Sequence, residues 1–266
     1  MDIIVQLVSA TIVIHSLHHI MKAHMADFFL VVRTPDKLRQ LLMKEHEITT
    51  AIMEKYLSIH QGDAKRSVDV SKALANPVNG FCLVDTVYTA IGAYPKNQFS
   101  LIEPWVLSDP TICETGMAAL LSAINALASQ GITKSQTGQK PLVIAISATA
   151  GKSITATLPW LMIPLYIWLL RGPHADKRKM EDLLMADSGK HTRDFVIVRP
   201  ALLTDGVEQG VEKVRVGWEL GNGGEARDAP GPAIGWTISR KDVGGWVYKK
   251  AVVEGGWEGR CVSLCY

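Results

Sequence analysis

Short, nearly continuous apolar runs alternate along this chain with longer stretches of helical periodicity. Ile3–Val8, Phe28–Val32, Leu57–His60, Phe81–Ile91, Leu142–Ser147 and Asp194–Arg199 read as strands, several of them apolar on both faces, as strands covered by helices on two sides are. Helices are expected up to about Ala26, from Pro35 towards Lys55, over Val68–Ala75, over Ile112–Ser129 with Gly131 as its stop, and over Asp176–Met185. Thr34 is placed to cap the second of these, with Pro35 at its first position, where the missing N–H costs nothing. Residues 93–111 hold several prolines, and residues 205–232 are glycine-rich and charged, so both read as irregular. Order returns with a strand at Trp236–Ile238, a helix capped by Ser239 and running to about Val252, and a last strand at Cys261–Leu264. This alternation predicts an α/β fold with a doubly wound, mostly parallel sheet. Residues 1–266 are expected to form a single domain, with 1–200 as the core sheet and 201–266 as a small C-terminal extension on the substrate side.

Composition narrows the partners. A chain of 266 residues, 47% hydrophobic, can bury a sizeable core, and 28 Lys and Arg against 26 Asp and Glu leave a net charge of +2. That balance argues against nucleic acid. Cys82, Cys113, Cys261 and Cys265 lack zinc-ribbon spacing and are too few for a disulfide framework, which points to a reducing compartment and a cytoplasmic location. Residues 3–14 have Asp2 in place of a basic start, so they read as a strand and not a leader. The run Ile154–Leu170 is interrupted by Pro159 and Pro164. It reads as a buried or pocket-covering segment, with shallow membrane contact preferred to a span. His15, His18, His19 and His24 recur at helical spacing, but no carboxylate or cysteine beside them completes a ligand set, and no metal is expected.

The first strand leads through a turn into a helix, which is how a dinucleotide-binding βαβ unit begins, yet the turn has no glycine. Further segments point the same way: Val31-Val32-Arg33 followed by Thr34 to Leu38, Gln61-Gly62-Asp63, Thr89-Ala90-Ile91-Gly92, Asp176-Lys177 with Met180-Glu181, Val198-Arg199-Pro200 running on to Gly206, and Ile238-Ser239-Arg240-Lys241-Asp242-Val243. In that order and spacing the chain resembles the atypical short-chain dehydrogenase/reductase family, in particular its NmrA-like branch of fungal secondary metabolism. The resemblance implies a Rossmann-like, NAD(P)-binding fold. The family's glycine loop falls on Ser9, Ala10, Thr11, Ile12 and His15. Arg33 would meet the 2′-phosphate of NADP, Asp63 would lie near adenine, and Ala90, Ile91 and Gly92 would pass the ribose. Ser147 matches the catalytic serine and Lys177 the lysine on the nicotinamide ribose, whereas Pro173 stands where the family has its tyrosine.

Glycine serves in that loop because a Cβ at closest approach collides with the diphosphate, and Ile12 is stiff, branched and apolar. The substitutions therefore predict lost or weakened cofactor binding. The reading that follows is an enzyme without redox turnover and without a cofactor: an isomerase, dehydratase or cyclase, pericyclic reactions included, acting on a hydrophobic natural-product intermediate. Its catalytic candidates are Ser147, Lys177, Tyr166 and His174, with Asp176 as a further acid or base beside them. Tyr94, Trp105, Trp160, Trp168 and Leu202 would shape the pocket. The alternative is an NADPH-dependent oxidoreductase with a remodelled loop, which Arg33, Asp63, Ser147 and Lys177 favour. The third reading is a non-catalytic sensor or scaffold. Arg199 is expected to be structural.

Overall fold

The computed structural model describes residues 2–7, 27–46, 48–75, 82–93, 95–97, 105–148, 163–187, 189–221 and 228–266. At its centre lies β1 (Asp2–Leu7), paired in parallel with β2 (Asp27–Val32) on one side and β4 (Thr86–Ala90) on the other. β3 (Leu57–Gln61) extends the sheet beyond β2. β7 (Leu142–Ile146), β8 (Asp194–Pro200) and β12 (Arg260–Cys265) continue it beyond β4, all parallel. β10 (Arg215–Leu220) closes that edge antiparallel to β12. The order β3-β2-β1-β4-β7-β8-β12-β10 is that of a doubly wound Rossmann-like sheet, as expected. Strand order reverses between β1 and β4, and ligands of open α/β sheets bind outside the carboxyl ends of the strands at such a point.

The period of two along β2 explains the two cores. Phe28, Leu30 and Val32 face one side and meet Leu38 and Leu42 of α1 (Pro35–His46). Phe29 and Val31 face the other, which is covered by α3 (Ser67–Leu74), α4 (Ile112–Ala128) and α5 (Ile163–Asp187). Both faces are apolar because both are roofed. The region expected as one helix from Pro35 to Lys55 is two helices, α1 and α2 (Thr50–Tyr56), the second capped by the Thr49 hydroxyl accepting from the Ile52 N–H.

Four expectations are corrected. Residues 93–111 are not wholly irregular: β5 (Pro95–Asn97) and β6 (Trp105–Leu107) form an antiparallel pair, short enough for a proline to stand in it. The strand expected over Phe81–Ile91 is only five residues long, because Leu83 bridges Ala75 and Ser135 before the chain joins the sheet. The later helix is longer than Asp176–Met185. α5 starts at Ile163, so the second half of the Ile154–Leu170 run is its opening, with Pro164 in the first turn, where an N–H has no helical partner. Lastly, the glycine-rich stretch 205–232 contains β10. Its Gly217 is there for close approach, since a Cβ would come within 2.2 Å of the Ala233 nitrogen. At Gly217, glycine reports tight backbone packing and not looseness.

A second, two-stranded parallel sheet pairs β9 (Leu202–Thr204) with β11 (Thr237–Ser239) beside the end of β8. Ser239 caps α6 (Arg240–Trp246), its hydroxyl accepting from the Lys241 N–H, and a π-helical stretch, Val247–Glu254, follows. Among the described residues no helix is long and apolar enough to cross a membrane, and no cluster of His, Cys, Asp or Glu could hold a metal ion.

Candidate active site at the strand ends

The ends of β4, β7 and β8, together with α5 and the small sheet, enclose a cleft of about 290 Å³. Ser147 follows β7 directly. Its N–H donates to the Val198 carbonyl at 2.7 Å, which fixes the residue, while its hydroxyl oxygen is buried and has no hydrogen-bond partner among the described residues. Buried hydroxyls nearly always find partners, so an orphan on a cleft wall marks a group held ready for a ligand.

α5 supplies the opposite groups, sorted by its helical period. Met180 and Leu184 are buried in the core on one stripe, and Asp176, one turn earlier on that stripe, is 3% exposed. Its carboxylate accepts the N–H groups of Cys113 and Glu114, each at 2.9 Å, and so caps α4 from a neighbouring helix. Thr111, at the N-cap position itself, makes no side-chain cap bond, which leaves this task to Asp176. The expectation of Asp176 as an acid or base is thereby corrected: both oxygens are spent on the backbone.

His174 and Lys177 are three residues apart and both line the cleft. Lys177 Nζ donates to the Ile91 and Ile146 carbonyls, both at 2.7 Å, tying the ends of β4 and β7 together. Ile91 is 1% exposed, so it contributes a carbonyl to this site. The same carbonyl accepts from the Cys113 thiol at 3.2 Å. Burial pushes that thiol up to about 12, which keeps it protonated and inert. His174 goes the other way: burial first, then the positive charge of Arg178, push it down to about 4. Its imidazole is therefore neutral across the physiological range. An NMR titration of the ring is expected to give a midpoint near 4, with His174→Gln identifying the signal; a midpoint near 6.5 would contradict the burial seen here.

Leu202 lines the same cleft and is half exposed. Arg33 and Asp63 lie at the ends of β2 and β3, across β1 from this group. Arg33 is exposed. Asp63 shapes a turn: its carboxylate accepts from the Lys65 N–H at 3.0 Å, and its own N–H donates to Asp69 at 3.1 Å. Ser9, Ala10, Thr11, Ile12 and His15 lie outside the described residues, as do Tyr94 and Trp160. So do the side chains of Trp105, Tyr166, Trp168 and Pro173, and the histidines at 18, 19 and 24. Sequence reasoning missed Arg240 and Leu203, which also line the cleft. Both stand at or beside short strands, Arg240 directly after the Ser239 cap, and a strand-end cation following a capping serine was the available signal.

No family model matches the chain. It is 32% identical over 247 residues to the reductase pytE of Aspergillus terreus, covering 89% of this chain and 87% of that protein. With the oxidase pynE of Aspergillus niger it shares 30% identity over 261 residues, 88% of each chain. Among solved structures, a Rossmann-fold NAD(P)-binding family protein from Shigella flexneri matches with a TM-score of 0.57 at 14% identity, over 99% of this chain and 92% of that one. ChuY, an anaerobillin reductase from Escherichia coli O157:H7, also matches with a TM-score of 0.57, at 13% identity over 100% and 97% of the two chains. The structural likenesses establish the fold, and the two fungal relatives establish kinship along nearly the whole length. The chain belongs to the Rossmann-fold family that includes the Aspergillus reductase pytE and oxidase pynE.

Proposed function

We propose that this protein is an NADP-dependent oxidoreductase acting on a small hydrophobic substrate in the cleft beside Ser147. The observation that carries the reading is the buried, unpartnered Ser147 hydroxyl on the wall of a largely apolar cleft. The described residues fit a dinucleotide. Above the end of β4, a Cβ built on Gly92 meets nothing within 4 Å, so the groove there is open. Lys177 keeps one of its three N–H donors beyond its two carbonyl bonds, suited to a ribose hydroxyl. Arg33 is exposed at the end of β2, where its guanidinium suits an added phosphate. When bound, a nicotinamide supplies or accepts a hydride.

The chain's own groups do the rest. The Ser147 hydroxyl donates to a substrate oxygen on which negative charge grows, and its fixed backbone means little reorganisation is needed. Neutral His174 lines the same cleft from α5, where its imidazole can hydrogen-bond a substrate, and proline stands at the tyrosine position. Lys177, on α5 with His174, ties that helix to the strand end that carries Ser147.

The cofactor-free isomerase, dehydratase or cyclase reading rests on the glycine-free turn at Ser9, Ile12 and His15. Kinship with a reductase and an oxidase supports the redox reading over it, and over a sensor or scaffold. Calorimetric titration tests the choice. NADP⁺ is expected to bind at least about tenfold more tightly than NAD⁺, with Arg33→Ser removing the preference. Absence of nicotinamide binding, together with turnover in cofactor-free buffer, would overturn the proposal.

A further inference from the structure

The cleft wall contributed by the small sheet ends in a cation that nothing above has used. Arg240 is the first residue of α6 and lines the same cleft as Ser147. Its side chain is 28% exposed, and among the described residues its ion-pair partner is Asp205, at 2.7 Å through Nη1 alone. Asp205 is 79% exposed. A guanidinium has five donors in a planar fork, and a single bond to a water-washed carboxylate contributes little. Arg240 is therefore poorly satisfied and readily recruited.

The other charged groups of the cleft do not compete. Asp176 is committed to the amides of Cys113 and Glu114, Lys177 spends two donors on the carbonyls of Ile91 and Ile146 and its third on the ribose hydroxyl in the redox reading, and His174 is neutral. Most of the other residues lining the cleft are apolar, among them Gly92, Ala93, Leu107, Pro200, Ala201 and Leu203. A ligand filling this space meets an apolar passage with a hydrogen-bond donor on one wall and a fork-shaped cation on another.

We propose that Arg240 is the anchor for a carboxylate on the substrate, so that the protein acts on apolar carboxylic acids: the acid group pairs with the guanidinium and the hydrocarbon body lies against the apolar walls. A carboxylate accepts two parallel N–H bonds from such a fork, a geometry that a neutral amide or alcohol cannot reproduce with equal strength. The anchor sets orientation, presenting the far end of the molecule to Ser147. The proposal rests on the reading of this cleft as the substrate site.

The test uses 4-phenylbutyrate and its uncharged analogue 4-phenylbutanamide as probes, titrated into the whole chain by calorimetry. The acid is expected to bind about tenfold more tightly than the amide, and Arg240→Gln to erase that difference while leaving amide binding unchanged. Arg240→Lys, which keeps the charge and loses the fork, is expected to retain part of the preference. Asp205→Asn, a change at an exposed residue, is expected to raise acid affinity about twofold by releasing the guanidinium. Failure of either probe to bind, equal binding of the two, or an acid preference that persists in Arg240→Gln would overturn the proposal. So would an Arg240→Gln effect that weakens both probes alike. The NADP⁺ titration of the same samples separates the two claims. Acid preference without nicotinamide binding leaves the anchor standing and removes the redox reading, and nicotinamide binding without acid preference does the reverse.

Discussion

Arg199→Ala is expected to destabilise the protein by about 3–5 kcal/mol, a large share of the stability of an ordinary domain. Arg199 is 6% exposed at the end of β8 and Glu181, on α5, is 2% exposed. Nε and Nη2 grip the two Glu181 oxygens at 3.1 and 2.7 Å, and Nη1 pairs with Glu219 of β10. Burial opposes the charge on Arg199, but the hydrogen bonds and the charge of Glu181 win and hold its pKa above the usual arginine value. Truncating the arginine leaves the Glu181 carboxylate dry and alone, and that penalty exceeds the value of the pair itself. The double variant Arg199→Met, Glu181→Met is therefore expected to recover most of the loss, since it removes both charges and restores packing volume. Urea unfolding of the single and double variants measures this. Equal destabilisation of the two would show that packing, and not the unpaired charge, sets the cost.

Ser147→Ala has the opposite signature. Loss of the hydroxyl is expected to reduce turnover about a hundredfold, as removal of a single donor to a developing oxyanion does elsewhere. The same change removes a buried polar atom that the folded protein leaves without a partner, so stability is expected to hold or to rise by about 1 kcal/mol. An activity loss accompanied by a more stable fold separates a functional role from a structural one. Retained turnover in a well-folded Ser147→Ala protein would remove Ser147 from the chemistry.

How much of this was legible beforehand depends on the range of the interaction. The parallel sheet was readable because strands such as β2 are roofed on both faces, and that leaves a local mark of continuous apolar residues. Ser147 and Lys177 were singled out by the family resemblance, with a strand end and a helix turn only fixing their places, and Arg199 was readable as structural because it directly precedes Pro200 at the end of a buried strand. Asp176 was misread because its partners are the amides of Cys113 and Glu114, more than sixty residues earlier in the chain. No local pattern announces that a helix will be capped by its neighbour. β10 escaped notice for a similar reason: Gly217 is explained by Ala233 and Gly231, which reach it only in the fold. Arg240 carried a readable position but no readable purpose until the small sheet placed it over the cleft.

That small sheet has a consequence for how such proteins diversify. Ser147, His174 and Lys177, the groups we propose for the chemistry, stand on the main sheet and α5, cross-linked by Lys177 and Asp176, whereas Leu202 and Leu203 belong to a ladder of their own with Thr237–Ser239. New side chains on that ladder would retailor which molecules fit while the proposed catalytic wall stays untouched, so paralogues of such a chain would inherit one chemistry and distribute it over different compounds.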